Sequence, residues 1–224
     1  MESNRKIITP GETIVKGEEF LPGDGARREK EDIVACRYGL TDISEKLVRV
    51  IPLSGVYIPR RGNVIIGEVI DITFNGWLID FGGSANGFLS IMECPRFINK
   101  DELQETFDFG DLMVAKVTGV KAKGIDLTVR IRGLGKLEGG SIIRINPNKV
   151  PRVIGKEGSM VNIIKDASNC EVTVGQNGLI WVSAKEIENE IKAKKIIDFI
   201  CENSYTEGLT DKVKEFADKL GGEK

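Results

Sequence analysis

The stretch that most constrains the fold is Val150-Pro151-Arg152-Val153-Ile154-Gly155-Lys156-Glu157-Gly158-Ser159-Met160, a Gly-x-x-Gly loop between apolar segments. Before it, Ser141-Ile142-Ile143-Arg144-Ile145 reads as a strand. After it, Met160, Val161, Ile163 and Ile164 recur at helical spacing. Glycines on both sides of Lys156-Glu157 let the chain turn sharply and bring its N–H groups close to a neighbour. The second glycine opens a helix, whose first N–H groups lack partners and whose dipole end is positive. A phosphate can be met there by main chain alone. Taken by itself, the same pattern also fits a bare turn between two helices.

The segments that follow give the loop a context. They read as a helix (Ser159 to Ala167), a strand (Cys170 to Val174), an Asn-Gly turn in Gln176-Asn177-Gly178, a strand (Leu179 to Ser183) and a long helix (Lys185 to Cys201). The order strand, helix, Gly-x-x-Gly, helix, strand, strand, helix resembles a KH domain over its full length, Ser141 to Ile200. The resemblance implies RNA at Arg152, Gly155, Lys156, Glu157 and Gly158, with about four nucleotides clamped by the loop. The alternative is a KH fold kept as a docking scaffold.

At 224 residues, 41% hydrophobic and 29% charged, the chain has room for one large or two to three small globular domains. No apolar run reaches the roughly 18 residues needed to span a bilayer. Met1-Glu2-Ser3-Asn4-Arg5-Lys6 leads into no long apolar stretch, so no secretory signal is expected. Cys36, Cys94, Cys170 and Cys201 lie far apart without a C-x-x-C pair. That suits reduced, mostly buried thiols of a cytoplasmic protein, not a disulfide frame or zinc site.

Histidine is absent, which removes His-based acid–base work, Ser-His and Cys-His nucleophiles and His-ligated metal. Carboxylates could still hold Mg²⁺. The densest group, Asp101, Glu102, Glu105 and Asp108, sits in a polar, helical link where such spacing usually makes a solvated face. The chain is therefore expected not to be an enzyme and to need no cofactor. A carboxylate/Mg-dependent nuclease is the remote alternative.

Net charge is −2, but its distribution says more than its sum. Arg144, Lys149, Arg152 and Lys156 face no acid between Ser141 and Lys156. Lys116, Lys121, Lys123, Arg130, Arg132 and Lys136 stand against Asp126 alone between Val114 and Leu137. Basic strips on an acidic body suit RNA held at chosen faces; each residue taken singly is also an ordinary solvated side chain.

In the second strip Ile125, Leu127, Val129 and Ile131 alternate with Asp126, Thr128, Arg130 and Arg132, a strand with one buried face. Strand signals also occur at Val64 to Ile72, Trp77 to Phe81, Gly87 to Ser90 and Met113 to Val120, with glycines at the corners. Short strands of this kind read as a small closed barrel. Gly62-Asn63-Val64-Ile65-Ile66-Gly67-Glu68-Val69, Asn75-Gly76-Trp77-Leu78-Ile79-Asp80-Phe81-Gly82, Gly87-Phe88-Leu89 and Phe109-Gly110-Asp111-Leu112-Met113-Val114 resemble the S1-type OB fold. The resemblance implies single-stranded RNA on Phe74, Phe88, Lys121, Lys123, Arg130 and Arg132. The usual platform aromatics are replaced by Asn75 and Leu78, and the usual histidine by Ser90, so charge should dominate. Alternation sends Trp77, Ile79 and Phe81 inward.

The first 58 residues hold turn words, Thr9-Pro10-Gly11-Glu12 and Leu21-Pro22-Gly23-Asp24-Gly25, and short strand candidates at Thr13 to Val15, Ile33 to Tyr38 and Lys46 to Ile51. No basic face stands out. The Pro22-Gly23-Asp24 turn, Ile33-Val34-Ala35-Cys36-Arg37-Tyr38-Gly39 and Tyr57-Ile58-Pro59-Arg60-Arg61-Gly62 are similar to the S1/KH cap subunit of the archaeal RNA exosome. The expected organisation is multidomain, β-rich plus α/β: an N-terminal β docking domain (1–58), an S1-type barrel (59–137), a KH domain (138–204) and a helical tail (205–224).

That resemblance implies a non-catalytic cap. Three copies would sit on a ring of RNase-PH-like subunits, capturing and threading single-stranded RNA for 3′–5′ degradation, with no DNA or membrane partner. A Nus-like S1/KH transcription or translation factor is the other reading, although such factors carry two KH units. Ile187, Ile191, Ile196, Ile197 and Ile200 are expected to pack on the KH sheet, and Val213, Phe216, Ala217 and Leu220 to form a further helix.

Overall fold

A computed structural model describes residues 6–99, 102–121, 124–204, 206 and 208–222. The chain parts after Gly55 into two units, Met1–Gly55 and Val56–Lys224. In the first, the strands are β1 (Ile7–Ile8), β2 (Thr13–Lys16), β3 (Leu21–Pro22), β4 (Ala26–Glu29), β5 (Asp32–Ala35), β6 (Gly39–Ser44) and β7 (Leu47–Pro52). They form sheets ordered β1-β6-β7-β3 and β2-β5-β4, with Ile8, Ala35 and Val50 at the core. The strand expected to reach Tyr38 stops at Ala35, because Cys36 to Tyr38 bend to lead into β6. Cys36 is exposed as a result, whereas Cys94 and Cys170 are buried and Cys201 is half-buried. Two-residue strands such as β1 and β3 carry no periodicity, so the sequence did not announce them.

The second unit opens with a barrel of β8 (Val64–Thr73), β9 (Gly76–Asp80), β10 (Gly87–Ser90), β11 (Leu112–Lys121) and β12 (Gly124–Thr128). It closes because β12 pairs with both β10 and β11; β13 (Gly135–Leu137) pairs with the first part of β11, on the side away from β8 that β12 uses further along. Period-two burial puts Ile65, Val69, Ile79, Leu89, Met113, Val117 and Leu127 inside. Trp77 is fully buried, and its Nε1 donates to Phe107 O at 3.0 Å and Leu103 O at 3.3 Å. Those carbonyls belong to the single-turn helix α1 (Leu103–Thr106) and the residue after it, which seal one end of the barrel. A tryptophan whose N–H is satisfied and whose ring is dry stabilises that closure by about 2–3 kcal/mol. The alternating run expected through Arg132 ends at Thr128. Val129 N donates to Glu93 O (3.0 Å) instead of continuing the ladder, and Ile131 is left exposed.

Next come β14 (Ser141–Arg144), α2 (Val150–Ile154), α3 (Ser159–Ser168), β15 (Glu171–Val174), β16 (Leu179–Ser183), α4 (Ile187–Glu202) and α5 (Leu209–Gly222). The sheet is antiparallel in the order β14-β16-β15. One face packs on the helices around Ile164, Ile180, Val182, Ile196, Ile200 and Val213, and Phe216 of α5 stacks on Phe199 of α4 at 4.3 Å. Ile187 and Ile191 do not join this core and are exposed. At about 100° per residue they fall roughly opposite the Ala193–Ile196–Ile200 stripe.

The barrel and the KH sheet meet at β8. Its second half pairs with β9, from Glu68 to Thr73, while Val64 to Gly67 pair only with β11 on the other side. That leaves a short open edge, which the β15–β16 turn fills. Val64 N donates to Gln176 Oε1 and Gln176 N to Val64 O, both at 2.8 Å. Asn177 is buried; its Nδ2 donates to Ile66 O and Phe81 O (2.8 Å each), and its Oδ1 accepts from Ile66 N at 3.2 Å. Buried backbone groups at a strand edge need such partners. Trp181 of β16 packs beside this turn on Ile66 and Val114, on the outer face of the barrel.

Candidate nucleic-acid interface

The Gly-x-x-Gly loop is built by backbone conformation. Gly155 N donates to Pro151 O (3.0 Å), ending α2. Gly155 has φ 73° and ψ 177°, a region essentially confined to glycine, and a Cβ there would lie 2.7 Å from Met160 N. Glu157 (φ 54°) and Gly158 (φ 80°) are also left-handed. The chain thus delivers α3 with no side chain capping its N-terminus. Its positive dipole end faces the loop and suits an anion, while Ser159 N turns back to Lys156 O and Gly158 N to Gly155 O (3.4 Å). Arg152, Lys156 and Glu157 flank the turn in sequence and are exposed. Lys149, of the same basic strip, is committed elsewhere: its Nζ donates to Cys201 O at 2.9 Å.

The barrel residues singled out in the sequence are not gathered in one place. Register sets Asp71, Leu78, Phe88 and Asp126 side by side on the outer surface. Lys121 sits beyond them with its Nζ 2.6 Å from Asp126 Oδ2, and Lys123 lies outside the described residues. Phe74 is exposed on the β8–β9 turn, and the Phe88 ring leans toward it: a Cβ on Gly76 would lie 3.0 Å from Phe88 Cζ. Arg130 and Arg132 follow β12 and are exposed. Because β10 and β12 run parallel, Phe74, Ser90 and Arg130 share one end of the barrel. Lys121 is at the other end, on the order of 15 Å away at about 3.3 Å per strand residue.

The positions where this barrel departs from the S1 pattern have other work. Asn75 Oδ1 accepts from Thr73 Oγ1 (3.4 Å), and Ser90 Oγ accepts from Met92 N (3.3 Å). Of the acids in the link, Glu102 accepts from Asn99 Nδ2 (2.7 Å) and Asp108 from Gln104 Nε2 (3.2 Å); Asp101 lies outside the described residues. Among the described residues no group of three or more His, Cys, Asp or Glu is placed to hold a metal ion, and no helix is long and apolar enough to cross a membrane. Sequence reasoning passed over Gln176 and Asn177, read only as a turn, and Arg96-Phe97, which belong to no period.

A KH sheet carrying a Gly-x-x-Gly loop and seated on an OB-type barrel defines an S1/KH architecture. A KH domain family model matches residues 140–188. The chain is 41% identical to "Exosome complex component Rrp4" of Methanobrevibacter smithii, covering 94% of this chain and 70% of that one. It is 39% identical to the protein of the same name from Methanothermus fervidus, with 95% of each covered. A crystal structure of a protein assigned as an exosome complex RNA-binding protein superposes with a TM-score of 0.66 at 31% identity, covering 75% of this chain and 98% of that one. The chain belongs to the exosome component Rrp4 family.

Proposed function

We propose that this protein is a non-catalytic, RNA-binding cap subunit of an archaeal-type exosome, acting in the cytoplasm. It would dock on a ring of RNase-PH-like subunits, in three copies, and guide single-stranded RNA toward 3′–5′ degradation there. The observation that carries the reading is the uncapped start of α3 behind the glycine loop, flanked by Arg152 and Lys156, in a chain of this family. Phosphates would meet the positive end of α3 across the glycine turn, and the cations would set affinity and its salt dependence.

Docking is assigned to residues 1–58. The outer face of the β1-β6-β7-β3 sheet places Ile7, Leu40 and Ile51 in one row by register, with Leu21 opposite Leu47 nearby. Ile7, Leu21, Leu47 and Ile51 are all exposed. An apolar row of this kind on a small sheet suits burial against a partner.

Size-exclusion chromatography of the full chain mixed with the RNase-PH-like subunits of its source tests this. Co-elution is expected for the full chain and lost on deleting residues 1–58, while the remaining fragment still binds RNA. Retained co-elution by the fragment would move the docking surface to the barrel or the KH module. Full chain incubated alone with labelled RNA, Mg²⁺ and phosphate should leave the RNA intact.

A further inference from the structure

Between β10 and α1 the chain crosses the end of the barrel as a strap, residues 91–98. Ile91 N donates to Asn75 O (3.1 Å), while Val129 N (3.0 Å) and Thr128 Oγ1 (3.3 Å) both donate to Glu93 O. The strap is thereby pinned to the β8–β9 turn on one side and to the end of β12 on the other. Cys94 and Ile98 point down into the barrel core. Burial pushes the Cys94 thiol up to about 11; Glu93 adds to the rise, and Arg130 and Arg96 oppose it, so both guanidinium groups lie within electrostatic reach of this residue.

The upper side is different. Phe97 is 89% exposed and Met92 73%, with Arg96 also exposed between them. Leaving a phenylalanine in water forgoes about 2 kcal/mol of burial, and here a pinned backbone holds the ring outward. The strand face around Phe88, by contrast, carries Asp71, Asp80 and Asp126, and its Lys121 is paired with Asp126. A polyanion is repelled from that face and drawn to the arginine end.

We propose that the strap is a nucleobase-binding site, in which Phe97 stacks one base of a single-stranded RNA and Arg96 and Arg130 contact the adjoining phosphates. This rests on the RNA-binding reading above and adds a place on the barrel for the bases. Every base has a π-face, so the site is sequence-tolerant. The two guanidinium groups against one half-buried acid, Glu93, favour RNA over an apolar protein segment as the occupant.

The test is fluorescence anisotropy with a short labelled oligoadenylate across a salt series. The full chain is used in its native form and with Lys156→Asp and Glu157→Asp, so that the KH loop does not mask the barrel. Phe97→Ala should weaken binding about fivefold or more at every salt concentration, with an unchanged salt slope and melting curve. Phe97→Trp should restore affinity, whereas Arg96→Ala with Arg130→Ala should flatten the slope. Failure of the native chain to bind the oligonucleotide would remove the RNA reading and the strap with it. Salt-dependent binding by the native chain with no effect of Phe97→Ala overturns the strap alone. Intact RNA binding combined with loss of co-elution with ring subunits would reassign Phe97 to protein docking and also overturn it.

Discussion

In the KH module the features poised to meet a phosphate lie within a few consecutive residues, Arg152 to Ser159: the glycine turn, the positive end of α3 and the cations beside it. On the barrel the candidate groups come from the β8–β9 turn, the strap after β10 and the chain beyond β12, and all are side chains. The first site is fixed by local dihedral angles, and the helices of the module need only hold it in place. The second exists only once the barrel has closed and the strap is tied across its end. Substitutions should therefore act on the loop through ligand contact and on the barrel through assembly or pairing.

The largest effect is expected where the two regions are joined. Asn177→Ala leaves Ile66 N, Ile66 O and Phe81 O without side-chain partners at a buried edge. Each orphaned group costs about 1–3 kcal/mol, so urea unfolding should show a loss of roughly 3 kcal/mol or more, with barrel and KH signals changing together. A loss below about 1 kcal/mol would mean that the two modules do not depend on this junction.

Reversing charge in the loop should come next. Lys156→Asp with Glu157→Asp keeps the turn and the start of α3 but sets negative charge where a phosphate would bind. RNA affinity should fall by about 1–3 kcal/mol, with a shallower salt slope and little change in melting temperature. If stability falls instead, the loop is less separable from its fold than the geometry indicates.

The smallest effect separates the two ends of the barrel. Lys121 is ion-paired with Asp126 at the surface, and exposed pairs of this kind are worth about 0–1 kcal/mol. Lys121→Ala should change neither stability nor the salt dependence of RNA binding measurably. Arg130→Ala with Arg132→Ala should lower affinity and flatten the salt slope. Equal effects from the two ends would erase the distinction.

How much of this was legible in the sequence follows from how local each feature is. The Gly-x-x-Gly loop, the helix from Ser159 and the strand at Leu179 were readable because each is set by neighbours a few residues away. The period-two pattern likewise sent Trp77 and Ile79 inside, since alternation is a property of a single strand. Local pattern also misled. The alternation through Arg132 suggested a longer β12, but the competing bond to Glu93 O stops the strand. On α4, five isoleucines looked like one stripe, yet Ile187 and Ile191 lie on the far side of the helix.

The sequence by itself determined the order of modules, the glycine loop with its open helix start, and which strand residues face inward, because backbone sterics and hydrophobic period act over short stretches. Only the tertiary structure decided that Asn177 would fill the open edge of β8, that Lys121 would be neutralised by Asp126, and that the chain after β12, with Arg130, would be tied to the strap that carries Arg96 and Phe97. Those outcomes turn on which backbone groups remain unpaired after the strands have chosen partners. That choice depends on strand register between distant segments, and no local spacing records it.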